Sequence, residues 1–372
     1  MTIPRLHALR DRLPLPRAKP EADAACKALA RWLAAAQDAS GCGGVCAYYD
    51  LRRADWAAAY PETTGYIIPT LCDYAQAGQE PEYRERALRM ADWECEVQLP
   101  DGGVRAGLMN APQVSPTVFN TGQVLFGWAR AFEETGVERY RKALHRAADW
   151  LLSAQDEDGA WRRFGSPFAM HTLNTYNTRT AFGLGRVSQV LSDPRYLEAA
   201  RRNVDWALSR AHPNGWLPDN CLEDNTRPLT HTIAYALRGI LEVAALDGGR
   251  GLDTVLTAAR ALAKVQHKDG ALPGRLDADW NGAARWSCLT GNAQIAIVWM
   301  RLVELTGEAG FLPAVHRALG FNLRTLRING LAGVAGGIKG SHPVDGGYMR
   351  YRYPSWAAKF MLDALLLRRR MG

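Results

Sequence analysis

The chain has 372 residues, 47% of them hydrophobic, and a net charge of +7, which is enough apolar material for one large core or two ordinary ones. Its Lys and Arg residues are dispersed and no zinc-finger, helix-turn-helix or RNA-binding pattern occurs, so no nucleic-acid partner is expected and anionic small molecules or acidic sugars are favoured. No run reaches the roughly 18 apolar residues of a membrane span, the start Met1-Thr2-Ile3-Pro4-Arg5 has no apolar signal core, and seven irregularly spaced cysteines suit a reducing compartment, so the expected setting is cytoplasmic without a membrane span.

Residues 1–20, rich in Pro and Arg, read as a surface arm, and residues 21–372 as one repeating helical domain. Apolar spacing broken by Gly-containing turns places amphipathic helices at 21–37, 82–98, 137–155, 194–211, 252–266 and 310–327. Helices apolar on nearly every face alternate with them, at 64–77, 121–134, 178–191, 230–245, 290–306 and 354–368. Ile295-Ala296-Ile297-Val298-Trp299-Met300 is typical of the second set. A helix without a polar face must be enclosed by protein. Six such rods jacketed by six amphipathic ones satisfy both patterns. The expected fold is therefore all-α, a ring of six helical hairpins, with no strand pattern competing for the core.

A grammar of polar loop, threonine and apolar helix recurs at Thr64, Thr121, Thr178, Thr230 and Thr290, at intervals of 57, 57, 52 and 60 residues. Each threonine stands where an N-cap is expected. Connections after the apolar helices are short, whereas those before them run to roughly 20 residues, a length that in compact folds is usually functional. The long loops thus share one face with six helix N-termini. Those termini offer free amides and partial positive charge to an anionic or hydroxyl-rich ligand.

Two constellations at that face carry chemistry. In the first, Glu62 opens the first inner helix and faces Asp224 or Asp279 from the loops of the fourth and fifth hairpins. A protonated acid opposite a carboxylate is what glycoside hydrolysis requires. The other role open to Glu62 is to accept amides at its helix start. In the second, His231 and Tyr235, four residues apart, share a helix face near Asn174, Tyr176, Asn177 and Arg179. Asn or Arg can neutralise a uronate carboxylate, His or Tyr take the acidified proton, and a Tyr protonate the leaving oxygen. That is β-elimination, or C5 epimerisation if the proton returns to carbon. The alternative is that His231 caps its helix and Tyr235 packs in the ring. Tyr60, Tyr66, Asn120, Gln123, Trp286, Asn292, Arg350, Tyr351, Arg352 and Trp356 complete the expected substrate-binding surface. No metal-ligand spacing or Gly-rich phosphate loop stands out, so neither metal nor cofactor is expected.

The run Asp149-Trp150-Leu151-Leu152-Ser153-Ala154-Gln155-Asp156-Glu157-Asp158-Gly159-Ala160-Trp161, preceded by residues 125–136, resembles the six-hairpin (α/α)6 toroids. Glycoside hydrolases, polysaccharide lyases and sugar epimerases share that architecture. The resemblance covers nearly the whole chain and is architectural. It implies a carbohydrate-active enzyme working on an acidic oligo- or polysaccharide, with hydrolysis placed ahead of elimination or epimerisation. Residues 151–161 are also similar to the Gln-Trp repeats of terpenoid cyclases. The acidic cluster of proton-initiated cyclases and the zinc ligands of prenyltransferases are missing, however. A glycan-binding protein without turnover is the reading from a different class.

Overall fold

The computed structural model describes residues 2–13 and 18–372. Among them are thirteen α-helices: α1 (Ile3–Arg12), α2 (Ala22–Ser40), α3 (Pro61–Gly78), α4 (Pro81–Val97), α5 (Val118–Thr135), α6 (Glu138–Ala154), α7 (Thr178–Leu191), α8 (Pro194–Ser209), α9 (Thr230–Leu246), α10 (Leu252–Val265), α11 (Leu289–Thr306), α12 (Leu312–Thr325) and α13 (Ser355–Arg370). The odd-numbered helices from α3 to α13 form the inner ring and the even-numbered ones the outer jacket. No helix is long and apolar enough to cross a membrane.

The segment read as an arm contains α1. It docks through polar contacts, Asp11 to Lys339 at 2.5 Å and Arg12 to Asp345 at 2.8 Å. Residues 14–17 of that segment lie outside the described residues.

The hairpins are shifted by one element from the expected pairing. Each inner helix packs on the outer helix that follows it, α3 on α4, α5 on α6, α7 on α8, and so on, while α13 packs on α2. The short turns explain this. They hold consecutive helices antiparallel and adjacent, whereas a long loop imposes no partner. The first and last helices of the ring therefore close it together.

Inner helices approach one another through glycine. A Cβ on Gly127 would stand 2.5 Å from the Gly65 carbonyl oxygen, and one on Gly239 2.2 Å from the Thr178 carbonyl carbon. Both distances are far inside van der Waals contact, so these crossings require hydrogen in place of a side chain. In both, the start of one inner helix lies against the middle of the next.

The recurring threonines do not act as N-caps. The caps are Tyr60, Thr117, Asn177, Leu229 and Cys288, and the threonines lie inside the first turn or at its start. Thr64 Oγ1 accepts from the Val45 amide and Thr121 Oγ1 from the Val104 amide, each at 2.9 Å. Thr178 donates to Ala236 O at 2.9 Å, and Thr230 to Pro273 O. These hydroxyls tie a loop or a neighbouring helix to the inner ring, which satisfies buried backbone groups that would otherwise lack partners. Short strands brace the mouth. β1 (Tyr48–Asp50) lies between β2 (Asp55–Trp56) and β5 (Arg352–Pro354), and β3 (Ser287–Cys288) pairs with β4 (Ser341–His342), all antiparallel.

Candidate active site at the mouth of the ring

Glu62 stands in the first turn of α3 with its carboxyl deep among other side chains, where it accepts a hydrogen bond from the Tyr60 hydroxyl. Burial raises its pKa to about 7, against the smaller opposing pull of the Tyr60 bond. A carboxyl with that pKa can hold or release a proton at neutral pH.

Five phenols stand around it. Tyr60, Tyr66, Tyr176, Tyr235 and Tyr348 are all pushed above the ordinary tyrosine range, by burial first and in addition by the Glu62 charge. They are therefore neutral donors. Asn120 reaches the Tyr60 hydroxyl and also donates to Arg105 O at 2.9 Å. The buried hydroxyls of Tyr66 and Tyr235 interact with each other and have no further partner among the described residues.

His231 completes the group from the first turn of α9. Its ring centre lies 4.5 Å from that of Tyr235 and 5.4 Å from that of Tyr348. Burial lowers its pKa to about 3, so the imidazole is neutral. Gln294 Nε2 donates to His231 Nδ1 at 2.7 Å, which leaves the ring proton on Nε2. Trp356 Nε1 donates to the Tyr348 hydroxyl at 2.8 Å. Phe119 meets Tyr176 and Tyr235 edge-on, at 5.2 and 5.1 Å.

The structure thus gathers Glu62, Tyr60, Tyr66, Asn120, Tyr176, His231, Tyr235 and Trp356, all expected from the sequence. It adds Phe119, Gln294 and Tyr348. A spacing signal was there to find two of these: Phe119 and Gln123, like Thr290 and Gln294, repeat the four-residue step of Glu62 and Tyr66, which marks the axial face of each inner helix.

Other expected residues are employed elsewhere. Asp224 accepts from the Thr226 amide and from Arg227 Nε, each at 3.0 Å, and Asp279 is an exposed turn residue whose amide donates to Asp277 at 3.1 Å. Among the described residues neither bonds to Glu62, so the opposed carboxylate pair is not formed: Asp224 is held by its own loop and Asp279 faces solvent. Asn174 donates to the carbonyls of Leu173 and Cys221, and Asn177 ends the 3-10 turn before α7 without a side-chain bond to the Glu62 group. Gln123 and Arg179 bond to each other at 3.3 Å, the guanidinium lying 4.7 Å over the Phe126 ring and 5.9 Å from that of Tyr235. Asn292 is structural, accepting from the Leu272 amide at 3.1 Å and donating to Asn322 at 3.0 Å. Trp286 is wedged against Gly274, Gly346 and Gly347. Arg352 bonds Asp50 at 3.1 Å, and Tyr351 is stacked by Arg52 and Arg350 at 4.4 and 5.4 Å, so this trio belongs to the wall around β5.

Solved structures share the whole ring. An unsaturated glucuronyl hydrolase from Bacillus sp. GL1 matches with a TM-score of 0.70 at 15% identity, covering 98% of this chain and 97% of that one. The fold is that of the (α/α)6 toroid carbohydrate-active enzymes. Two further toroids match: a cellobiose 2-epimerase from Bacillus thermoamylovorans, with TM-score 0.69, 14% identity and coverage of 91% and 95%, and a family 76 α-mannanase from Bacteroides thetaiotaomicron, with TM-score 0.68, 16% identity and coverage of 95% and 97%. The family model for pectic acid lyase matches residues 112–183, from the loop before α5 into α7, a stretch that includes Asn120 and Tyr176. No curated relative matches the chain by sequence.

Proposed function

We propose that this toroid is a carbohydrate-active enzyme that moves a proton at a carbon of an acidic sugar, with Glu62 as its acid–base group. The observation that carries this reading is a lone carboxyl of pKa about 7 among neutral phenols and a neutral imidazole. Hydrolysis by a carboxylate pair needs a second acid across the sugar, whereas Asp224 is held by Thr226 and Arg227 and Asp279 lies on an exposed turn. In an elimination, ionised Glu62 takes the proton next to a uronate carboxyl. A phenol, that of Tyr235 or Tyr176, protonates the leaving oxygen. The Nε2–H of His231 and the hydroxyl of Tyr66 hold the sugar. If the proton returns to carbon instead, the result is epimerisation. An acidic sugar is favoured by the partial match to the pectic acid lyase model and by the glucuronyl hydrolase among the structural neighbours.

Hydrolysis with protonated Glu62 as general acid is the second reading, and the same raised pKa favours it. The two separate by product and by pH. Elimination gives an unsaturated, ultraviolet-absorbing uronate, and kcat/KM falls below pH about 7 as Glu62 protonates. Hydrolysis gives reducing ends alone, and kcat/KM falls above that pH. Under either reading Glu62→Gln lowers kcat by about 10²- to 10⁴-fold on acidic oligosaccharides. A variant that keeps its activity would remove Glu62 from the chemistry.

A further inference from the structure

A chamber opens beside Tyr66. It has a volume of about 240 Å³ and follows the ring axis toward the helix C-termini, touching Tyr66, Thr70 and Asp73 on successive turns of α3. Six basic side chains and three carboxylates line it. Arg130 pairs with Asp73 at 2.7 Å, Arg186 with Glu133 at 2.8 Å, and Lys359 with Asp363, while Arg238 pairs with Glu242 at 2.6 Å. Arg370 is exposed at the outlet.

Arg179 differs from the rest. It is only 6% exposed, and no described carboxylate lies within ion-pair distance of it. Among the described residues its one hydrogen bond is from Nε to Gln123 Oε1 at 3.3 Å, which leaves both terminal amino groups without a partner there. Phe126 and Phe182 stack on the guanidinium at 4.7 and 5.2 Å. That stacking returns part of the lost hydration but gives the terminal N–H groups nothing to bond. Burial, with Arg238 nearby, still lowers the Arg179 pKa to about 10. The negative ends of the inner helices account for the cations near the outlet. They do not account for Arg179, which sits in the first turn of α7.

We propose that this chamber binds a small oxyanion, of the phosphate or carboxylate class, on the Arg179 guanidinium. An oxyanion supplies the two parallel acceptors that a guanidinium fork is shaped to meet. The surplus of cations over carboxylates stabilises it, and the phenyl faces exclude water. The chamber shares Tyr66 and Gln294 with the Glu62 group, and Arg179 lies 5.9 Å from the Tyr235 ring, but the assignment rests on Arg179 and stands whether or not Glu62 is a catalyst.

The test uses the whole protein, with calorimetric titration and thermal unfolding against inorganic phosphate, acetate and chloride at matched ionic strength. Saturable binding of phosphate or acetate is expected, with a melting temperature that climbs with ligand concentration. Arg179→Met should weaken that binding by at least about tenfold and, without anion, should melt no lower than the parent because an unpaired buried charge has gone. If Arg179→Met does not fold, Arg370→Gln at the outlet should weaken binding by about two- to threefold. No saturable response in the parent, saturation by chloride alone, or unchanged affinity in the variant that folds would each overturn the assignment.

Discussion

Replacing Glu62 by Gln tests the buried carboxyl without reference to any substrate. Gln keeps the shape and the acceptor for Tyr60 but cannot ionise. In the unfolded chain Glu62 releases its proton near 4.5, and in the folded protein near 7. Because the folded value is the higher, the stability tied to this proton is complete below the unfolded value and is lost as pH rises through the folded one. A gap of about 2.5 units at about 1.4 kcal/mol each amounts to about 3 kcal/mol. With about 2.1 cal/mol/K of unfolding entropy per residue, that corresponds to about 4 °C in melting temperature for a chain of this length. The assay is thermal and urea unfolding of parent and variant from about pH 4 to about pH 8. The two proteins should coincide at the acid end, and the variant should lead by about 3 kcal/mol at the alkaline end. Other titrating groups cancel in the difference. A gap that does not change with pH would refute the burial argument and, with it, the reason for assigning Glu62 a proton-transfer role.

Glu94, fully buried in α4, has no partner on either carboxyl oxygen among the described residues, and burial holds its pKa well above the usual carboxylate range. Glu94→Leu should therefore stabilise the protein by about 1–3 kcal/mol at neutral pH in urea unfolding; a loss would point to a partner inside the core. Gly239→Ala forces a methyl to 2.2 Å from the Thr178 backbone and should cost about 1–3 kcal/mol or more, whereas Gly310→Ala, with nothing within 4 Å, should be near neutral by the same measurement. Equal effects would mean that the α7–α9 crossing is looser than described. Thr121→Val removes the acceptor for the Val104 amide and the donor to Thr117 O, and should lower stability by about 1–2 kcal/mol in thermal unfolding.

Much of the site could be read because it follows helical spacing. Glu62 and Tyr66, like His231 and Tyr235, are four apart at the start of an inner helix, so their shared face is set once the helix is. Asp224 and Asp279 misled because a loop acid has no period to aim it: Asp224 turned to the Thr226 amide and the Arg227 guanidinium, Asp279 stayed on an exposed turn, and the expected carboxylate pair did not form. Arg179 misled in another way. Its position in the first turn of α7 was right, but a long side chain can run either way along the axis, and the Phe126 and Phe182 faces drew it toward the chamber beside Tyr66. Tyr348, on a turn between β4 and β5, is placed by the Ser341 contacts to its backbone and by Trp356, none of which shows as a pattern in the chain.

The order of residues alone determined that this protein is built of paired helices, which six are enclosed and at which end the long loops gather, because helix periodicity and turn residues act over a few positions at a time. Only the tertiary structure decided which loop acid is held by its neighbours, which tyrosines gather around Glu62 and where Arg179 lies. Those outcomes depend on burial and on neighbours far away in the chain, and both come into being only when the last inner helix closes the ring against the first outer one.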